Sequence, residues 1–259
     1  MRGALIGGML LTVAACGGKG ESGAATSDTG ATAAPAAGAA TAAAGGGSVT
    51  GHVKFDGAAP ANPTIDMAEE AACKSKYTGP AVDPVVMVEN GNLGNVVVYV
   101  KGGLPAGQTY PVPNEAVVLD QRGCLYHPRA LAIMAGQKLE IKNSDPVLHN
   151  IKAQPTKNRP FNISQPSEGM TTTRTLPTPE DNIPVECNVH GWMHSNIVVL
   201  SHPFFAVSGA DGSFTIKGLP AGTYEIEARH AKLGTKTMSV TVPADGAATA
   251  DFTFAATGT

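Results

Sequence analysis

Residues 186–195 read ECNVHGWMHS and gather one cysteine, two histidines and one methionine within ten positions. Cys187, His190 and Met193 have the spacing C-x2-H-x2-M. A single loop between two strands can turn three side chains at this spacing toward one ion. One thiolate, two neutral imidazoles and a weak axial thioether form the ligand set that suits copper cycling between oxidation states. The loop therefore predicts a metal site whose second imidazole comes from another strand.

The stretch KNSDPVLHN at residues 142–150 supplies that imidazole. A strand that ends in a proline-containing turn and His-Asn, followed by a loop of the form Cys-x2-His-x2-Met, resembles the cupredoxin family of blue copper proteins, and its amicyanin-like members in particular. The resemblance implies that His149, Cys187 and His190 are equatorial ligands of one copper ion. Met193 is then the axial ligand.

The same resemblance assigns a supporting role to two asparagines. Asn150 matches the family's asparagine that ties the two ligand loops together by hydrogen bonding beside the cysteine, here next to Asn188. Bonds of this kind fix the orientation of the ligands and tune the metal.

Alternatives to this ligand set remain open in the sequence. His194 follows Met193 directly and competes with it as a ligand, although neighbouring strand residues point to opposite faces, which favours Met193. Zinc is the alternative metal, because cysteine and histidine also suit tetrahedral zinc, but the methionine favours copper. Taken singly, each of these residues also fits an ordinary packing role. The copper hypothesis depends on their joint spacing.

The chain outside this loop has the pattern of an all-β protein, with period-two alternation and β-branched runs separated by proline and glycine. The segments expected to form strands are Ser48–Phe55, Asn95–Val100, Ala116–Leu119, Ala130–Met134, Lys138–Lys142, Ile197–Leu200, Ser213–Ile216, Thr223–Ala228, Met238–Val242 and Ala250–Phe254. Only Ile65–Lys74 has a helical pattern. We expect a cupredoxin Greek-key β-sandwich packed with a second, smaller β-sandwich.

Residues 205–242 point to the identity of the smaller sandwich. They contain a D-G-x-F hairpin at 211–214 and G-L-P-x-G-x-Y at 218–224, and they resemble the carboxypeptidase regulatory-like domain, a folding or spacing module. The motif G-x-V-x-G-x-V at 47–53 resembles the first strand of the same module. The copper segment is then inserted between the early and late strands of that module. In the alternative arrangement, the N-terminal strands extend the copper sandwich.

The first sixteen residues resemble a bacterial lipoprotein signal. Arg2 precedes the short apolar run 4–13, and Val13-Ala14-Ala15-Cys16 forms a cleavage site that ends in cysteine. The resemblance implies a lipidated Cys16; cleavage at a plain signal-peptidase site is the alternative. The expected divisions are a signal (1–16), an Ala/Gly-rich disordered tether (17–47), N-terminal strands (48–113), a copper domain (114–202) and the regulatory-like module (203–256).

Cysteine counting follows from these assignments. If Cys16 carries lipid and Cys187 binds metal, Cys73 and Cys124 remain as an even pair in an oxidising compartment, where a disulfide is expected. The alternative is that both are free and buried.

A formal charge of −3, with 18 Lys+Arg against 21 Asp+Glu and no basic stripe, disfavours nucleic acid as a partner. We expect a periplasmic or cell-surface bacterial lipoprotein, held on a membrane surface by its lipid, that carries single electrons between a redox donor and a redox acceptor and is not an enzyme. His190, Gly191 and Trp192 are expected to face the partner, with burial of Trp192 between the two modules as the alternative.

Two other functions remain open, namely copper storage or delivery, and a cell-surface binding or scaffold role with a vestigial metal site. The other histidines are expected to be structural or at the surface: His52, His127, His202 and His230.

Overall fold

The computed structural model describes residues 46–256, and this range is almost entirely β-structure. It contains 21 strands and one short helix, α1 (Ala71–Lys74). The strands are β1 (Gly47–Asp56), β2 (Thr64–Ile65), β3 (Ala81–Val82), β4 (Val88–Glu89), β5 (Asn92–Leu93), β6 (Val97–Gly102), β7 (Val117–Arg122), β8 (Leu125–His127), β9 (Ala130–Met134), β10 (Lys138–Asn143), β11 (His149–Ala153), β12 (Phe161–Gln165), β13 (Thr171–Thr175), β14 (Glu180–Glu186), β15 (His194–Leu200), β16 (Phe205–Val207), β17 (Ser213–Leu219), β18 (Gly222–His230), β19 (Gly234–Val242), β20 (Ala247–Thr249) and β21 (Phe252–Ala255). The expected all-β class, with two packed sandwiches, is confirmed.

The lipoprotein signal, Cys16 and the tether up to residue 45 lie outside the described residues. Gly47 is the first residue of β1, so this strand begins inside the range assigned to the tether. Within 46–256, no helix has the length and apolar character needed to cross a membrane.

Two sheets form what we call the site sandwich. One has the order β13-β10-β7-β8 and the other β12-β11-β14-β15-β9, with β10 parallel to β7 and β15 parallel to β9. Alternate residues of β7 and β10 are buried, as expected for strands with one face on a core. Leu119 and Ile141 from the first sheet meet Ile151 and Ile183 from the second in this core.

The remaining long strands form the terminal sandwich. β1 pairs with β17 and, in parallel, with β20 and β21, while the facing sheet has the order β16-β6-β18-β19. Its strands come from both ends of the described chain, and the strands of the site sandwich lie between them in sequence. Gly51 lies where a Cβ atom would collide with the carbonyl oxygen of Ala250, so a side chain at this position would push β1 away from the link between β20 and β21. In the observed strand pairing, the site sandwich (β7 to β15) is inserted between the early and the late strands of the terminal sandwich.

A third apolar cluster joins the two sandwiches. Ala130, Ala132 and Met134 of β9 pack against Val97 and Tyr99 of β6. The other residues of β9, Leu131 and Ile133, face the core of the site sandwich. Because both faces of β9 are covered, all five of its residues are buried, and the strand reads as a continuous hydrophobic run.

The segment 64–82, which we call the cap, contains β2, α1 and β3 and packs on the site sandwich. Ile65, Met67, Cys73 and Ala81 are part of that sandwich's core. The expected helix over Ile65–Lys74 is wrong for its first half, since Ile65 pairs with Ala81 as a strand. In addition, the Asp66 carboxylate accepts a hydrogen bond from the Ala68 backbone N–H, a local turn that competes with helix formation.

Candidate metal centre

The loop between β14 and β15 folds back on itself and turns its ligand-type side chains inward. The backbone N–H of Met193 donates to the His190 carbonyl at 2.9 Å, and the N–H of Cys187 donates to the Met193 carbonyl at 3.3 Å. The His190 N–H donates to Cys187 Sγ at 3.3 Å. As a result, Cys187, His190 and Met193 are all buried, and none is more than 3% exposed.

His149 comes from a neighbouring strand of the same sheet. It is the first residue of β11, which pairs with β14 just before the loop, and it is fully buried. The backbone N–H of Asn188 donates to the Asn150 side-chain oxygen at 3.0 Å. This bond ties the strand that carries His149 to the loop that carries Cys187. It is the contact that the resemblance implied for Asn150.

The donor atoms of His149, Cys187 and His190 all lie within 4.8 Å of one another. The two Nδ1 atoms are 3.0 Å apart, and Cys187 Sγ is 4.0 Å from His190 Nδ1. An ion that binds imidazole nitrogen at about 2.0 Å and thiolate sulfur at about 2.3 Å brings its donor atoms to separations of up to about 4 Å. The spacing of the three donors therefore fits one ion of this size.

The tautomer of His149 is fixed by a buried carboxylate. Its Nε2 donates to Asp145 Oδ2 at 3.0 Å, which turns Nδ1 toward the donor atoms of Cys187 and His190. Asp145 also accepts the backbone N–H groups of Gly123 and Cys124, each at 2.8 Å. Burial by itself would raise the pKa of Asp145, but these hydrogen bonds outweigh it and lower the pKa. Asp145 is therefore a fixed negative charge behind His149.

Electrostatics favour an ionised thiol at this position. Burial raises the pKa of Cys187, but hydrogen bonds from His149 and His190 outweigh it and bring the pKa from 9.0 down to about 5. Burial lowers the pKa of His149, and its hydrogen bonds with Asp145 and Cys187 reverse this and raise it. The negative charge of the buried thiolate thus favours a positive charge close to it. A cation bound between the three donors would supply that charge.

Met193 and His194 diverge. The Met193 side chain is fully buried in the same apolar cluster as Cys187. His194 is exposed and lines a different cleft with Arg129 and Glu186. His194 is therefore not among the converging donors, which removes the competition with Met193 that the sequence left open.

Cys73 and Cys124 form a disulfide with a Cα–Cα distance of 5.6 Å, and Cys187 is the free cysteine of the described residues. Cys124 also lies close to Asp145 and His149, but as half of a disulfide it has no thiolate to offer a second ion. The disulfide lies against the site, with Cys73 Sγ 3.9 Å from His190 Nε2.

The surroundings of His190 differ from the sequence expectation. We expected its outer edge to face solvent, yet His190 is only 2% exposed because the cap lies over it. Trp192 does not lie between the two sandwiches. It packs beside His190, with ring centroids 5.1 Å apart, and its Nε1 donates to the Cys124 carbonyl at 3.0 Å.

Two functional candidates were missed in the sequence. Asp145 could have been found, because ligand histidines usually donate their second N–H to a carboxylate, and Asp145 lies four residues before His149. The approach of Glu70 to His190 has no local sequence signal. His127, His202 and His230 have backbone hydrogen-bond partners outside the site.

Residues 195–255 match the family model of the carboxypeptidase regulatory-like domain. The match covers β16 to β21 and nearly all of β15, so it begins before the boundary at 203 that we expected. The chain therefore contains a carboxypeptidase regulatory-like domain in its C-terminal part. No curated protein sequence matches the chain.

Several solved copper proteins match part of this chain at low similarity. A copper-containing nitrite reductase from Thermus scotoductus SA-01 is 20% identical over 39% of this chain and 26% of its own, with a TM-score of 0.32. An amicyanin variant in its Cu(I) form is 16% identical over 40% of this chain and 98% of its own, with a TM-score of 0.30. A purple cupredoxin from Nitrosopumilus maritimus is 19% identical over 34% of this chain and 100% of its own, with a TM-score of 0.29. The chain thus spans about a quarter of the nitrite reductase. Similarity this low supports no assignment, and the case for copper depends on the geometry of the site.

Proposed function

We propose that this protein holds one copper ion between His149, Cys187 and His190, with Met193 as a weak fourth ligand, and that it carries single electrons. One observation carries the proposal: two imidazole Nδ1 atoms lie 3.0 Å apart beside a low-pKa thiol, and the Nε2 proton of His149 is held by Asp145. Two facing nitrogen lone pairs repel each other unless a proton or a metal ion lies between them. When bound, copper would supply one-electron chemistry.

The protein's own groups would keep this geometry nearly constant. Asp145 fixes the ring of His149, and the bond between Asn150 and Asn188 ties the two ligand-bearing segments together. Backbone bonds close the loop on both sides of His190. Because none of these bonds involves a metal, the donor atoms are in place before an ion binds. A site that changes little between oxidation states suits rapid electron transfer.

The choice of copper over zinc depends on Met193. Structural zinc sites use cysteine, histidine and carboxylate ligands, whereas copper electron-transfer sites use a weak axial thioether. Met193 is fully buried among the same core residues as Cys187.

The choice of electron carriage over copper delivery depends on burial. His149 and Met193 are fully buried and Cys187 is 3% exposed, which disfavours ready exchange of the ion with an acceptor. The same burial disfavours direct contact between a substrate and an ion held by these donors, so we propose a carrier and not an enzyme.

The cellular setting is part of the proposal. The sequence of the first sixteen residues supports a lipoprotein anchored through Cys16, and the Cys73–Cys124 disulfide suits an oxidising, extracytoplasmic compartment. The partners would be a redox donor and a redox acceptor near the membrane surface of a bacterium. Nucleic acid is not expected, given the net charge of −3.

The test is to add Cu(II) to the purified protein and to record its visible spectrum. We expect an intense sulfur-to-copper charge-transfer band, because Cys187 Sγ would be bonded to the ion. Cys187→Ala should remove the band, and His194→Ala is the matched control that should retain it, since His194 is exposed and lines another cleft. Bound Cu(II) without the band, or a band that survives in Cys187→Ala, would overturn the proposal. Stoichiometric zinc that copper does not displace would favour the zinc alternative.

A further inference from the structure

A cleft of about 420 Å³ opens where the cap meets the loop that carries His190. Asp66, Glu69 and Glu70 line it from the cap, and Val189, His190 and Trp192 line it from the loop. The cleft thus brings solvent close to the ring of His190.

The Nε2 atom of His190 lies in this cleft without a good hydrogen-bond partner. Glu70 Oε2 is 3.7 Å away, and the disulfide sulfur of Cys73, a weak acceptor, is 3.9 Å away. The distance to Glu70 exceeds the length of an ordinary N–H···O bond, and the contact to sulfur is at best a weak hydrogen bond. A buried donor left in this state costs free energy, so a small shift of Glu70 toward His190 would be favourable.

The carboxylates of the cleft form no ion pair with a lysine or an arginine of the described residues. Among the ion pairs of residues 46–256, none joins Asp66, Glu69 or Glu70 to a lysine or an arginine. Of the lysines of the cap, Lys74 lines a neighbouring cleft that it shares with Asp66, and Lys76 Nζ is 3.9 Å from Asp145. The cleft therefore has carboxylates without a lysine or arginine partner, above all Glu69 and Glu70, and Trp192 lines it as well.

We propose that this cleft receives a lysine or arginine side chain of a protein electron-transfer partner, so that the partner docks on the cap and not on an exposed histidine edge. The inference depends on the function proposed above. A carboxylate has lone pairs for several donors, so Glu70 can accept from the partner's cation and from His190 Nε2 together. The Trp192 ring beside His190 offers a cation a second favourable contact. Glu70 then connects the partner to the ligand ring through hydrogen bonds.

Trp192 allows a direct binding test, because it is the single tryptophan of the chain and lines the cleft. We would titrate the protein with hexalysine and with hexaglutamate at low salt and follow the tryptophan fluorescence. Hexalysine should change the emission and lose its effect at high salt, whereas hexaglutamate should have no effect. The triple variant Asp66→Asn, Glu69→Gln and Glu70→Gln should weaken hexalysine binding about tenfold, since exposed charge pairs each contribute little but add up.

A matched control removes the same charge elsewhere. The triple variant Asp56→Asn, Glu89→Gln and Asp245→Asn changes exposed carboxylates outside the cleft and should leave hexalysine binding within about twofold. Equal weakening in both triple variants, or no emission change with hexalysine, would overturn the proposal.

A kinetic measurement extends the test to electron transfer. The copper-loaded protein is first reduced to the Cu(I) form and is then mixed with a cationic oxidant, tris(phenanthroline)cobalt(III), or with an anionic one, hexacyanoferrate(III). The cleft variant should slow only the cationic oxidant, about tenfold at low salt. If the rates of the cleft variant are unchanged and its visible band is intact, the docking proposal is refuted and the copper proposal is unaffected. If the band is absent, the copper proposal is refuted instead. The fluorescence titration then still tests whether the cleft binds a cationic side chain.

Discussion

Removal of the Cys73–Cys124 disulfide should cost the protein much of its stability. The bond closes a loop with a sequence separation of 51. In the chain-entropy description, a loop of this size removes about 14 cal/mol/K from the unfolded chain, which is about 4 kcal/mol at room temperature. Folded domains are stable by only about 5 to 15 kcal/mol, so the loss is a large fraction of the total. Alanine is the better replacement at both positions, because both are buried and a serine hydroxyl would lack a partner.

The assay is urea unfolding of the wild type and of the Cys73→Ala, Cys124→Ala variant, each without added metal. Copper binding gives a second measurement. The cap lies over His190 and is joined to the Cys124 turn by this bond, so the variant should release copper to a chelator faster than the wild type.

A destabilisation below about 1 kcal/mol would refute this reasoning, since it falls far short of the expected chain-entropy effect. It would mean that the packing of Ile65, Met67 and Ala81 in the core of the site sandwich holds the cap without the disulfide. Faster copper release with unchanged stability would point to a local opening of the cap alone.

Two further predictions concern the site and the junction between the sandwiches. Asp145→Asn should weaken copper binding by about 10- to 100-fold in a chelator competition, because Asp145 holds the ring of His149, whereas the exposed Asp245→Asn should not change it. His230 is buried and lies near Arg129, and burial first and that charge second lower its pKa from 6.5 to about 4. The unfolded chain then binds the proton more readily, so the stability contribution is full above about pH 6.5 and is lost as the pH falls toward 4, by up to about 3 kcal/mol. In urea unfolding at pH 7 and pH 4.5, His230→Gln should lose less stability between the two pH values than the wild type, and an equal loss would contradict the assignment.

The convergence of the candidate ligand residues was predictable, because their positions depend on local sequence. The spacing of Cys187, His190 and Met193 lies within one loop, and the strands on either side bring His149 next to it. Asn150 follows His149 directly, so its bond to the backbone of Asn188 follows from the same two segments.

The covering of His190 was not predictable in this way. Cys73 and His190 are 117 positions apart, and nothing near ECNVHGWMHS shows that a distant segment lies over the ring. The cap contains only short strands and a four-residue helix, so it has no period that signals a packed element.

Polar strands were missed for a related reason. β12 and β13 lie at the edges of their sheets, and residues 171–175 read TTTRT with hardly any burial. An edge strand held mainly by backbone hydrogen bonds needs no apolar alternation. The hydrophobic pattern therefore reveals strands that are buried on both faces, such as β9, and leaves exposed edge strands such as β13 unseen.

The cap and the loop together determine how the proposed centre can exchange electrons. A loop alone would leave the His190 edge open, and water there would reorganise whenever the charge of the ion changed. The cap excludes most of that water, and the disulfide holds the cap in place beside Nε2. The same covering moves the route for an electron away from the ring edge and toward Glu70 and Trp192, which line the cleft. We infer that a partner would have to approach the cap itself, where the unpaired carboxylates select for a basic surface.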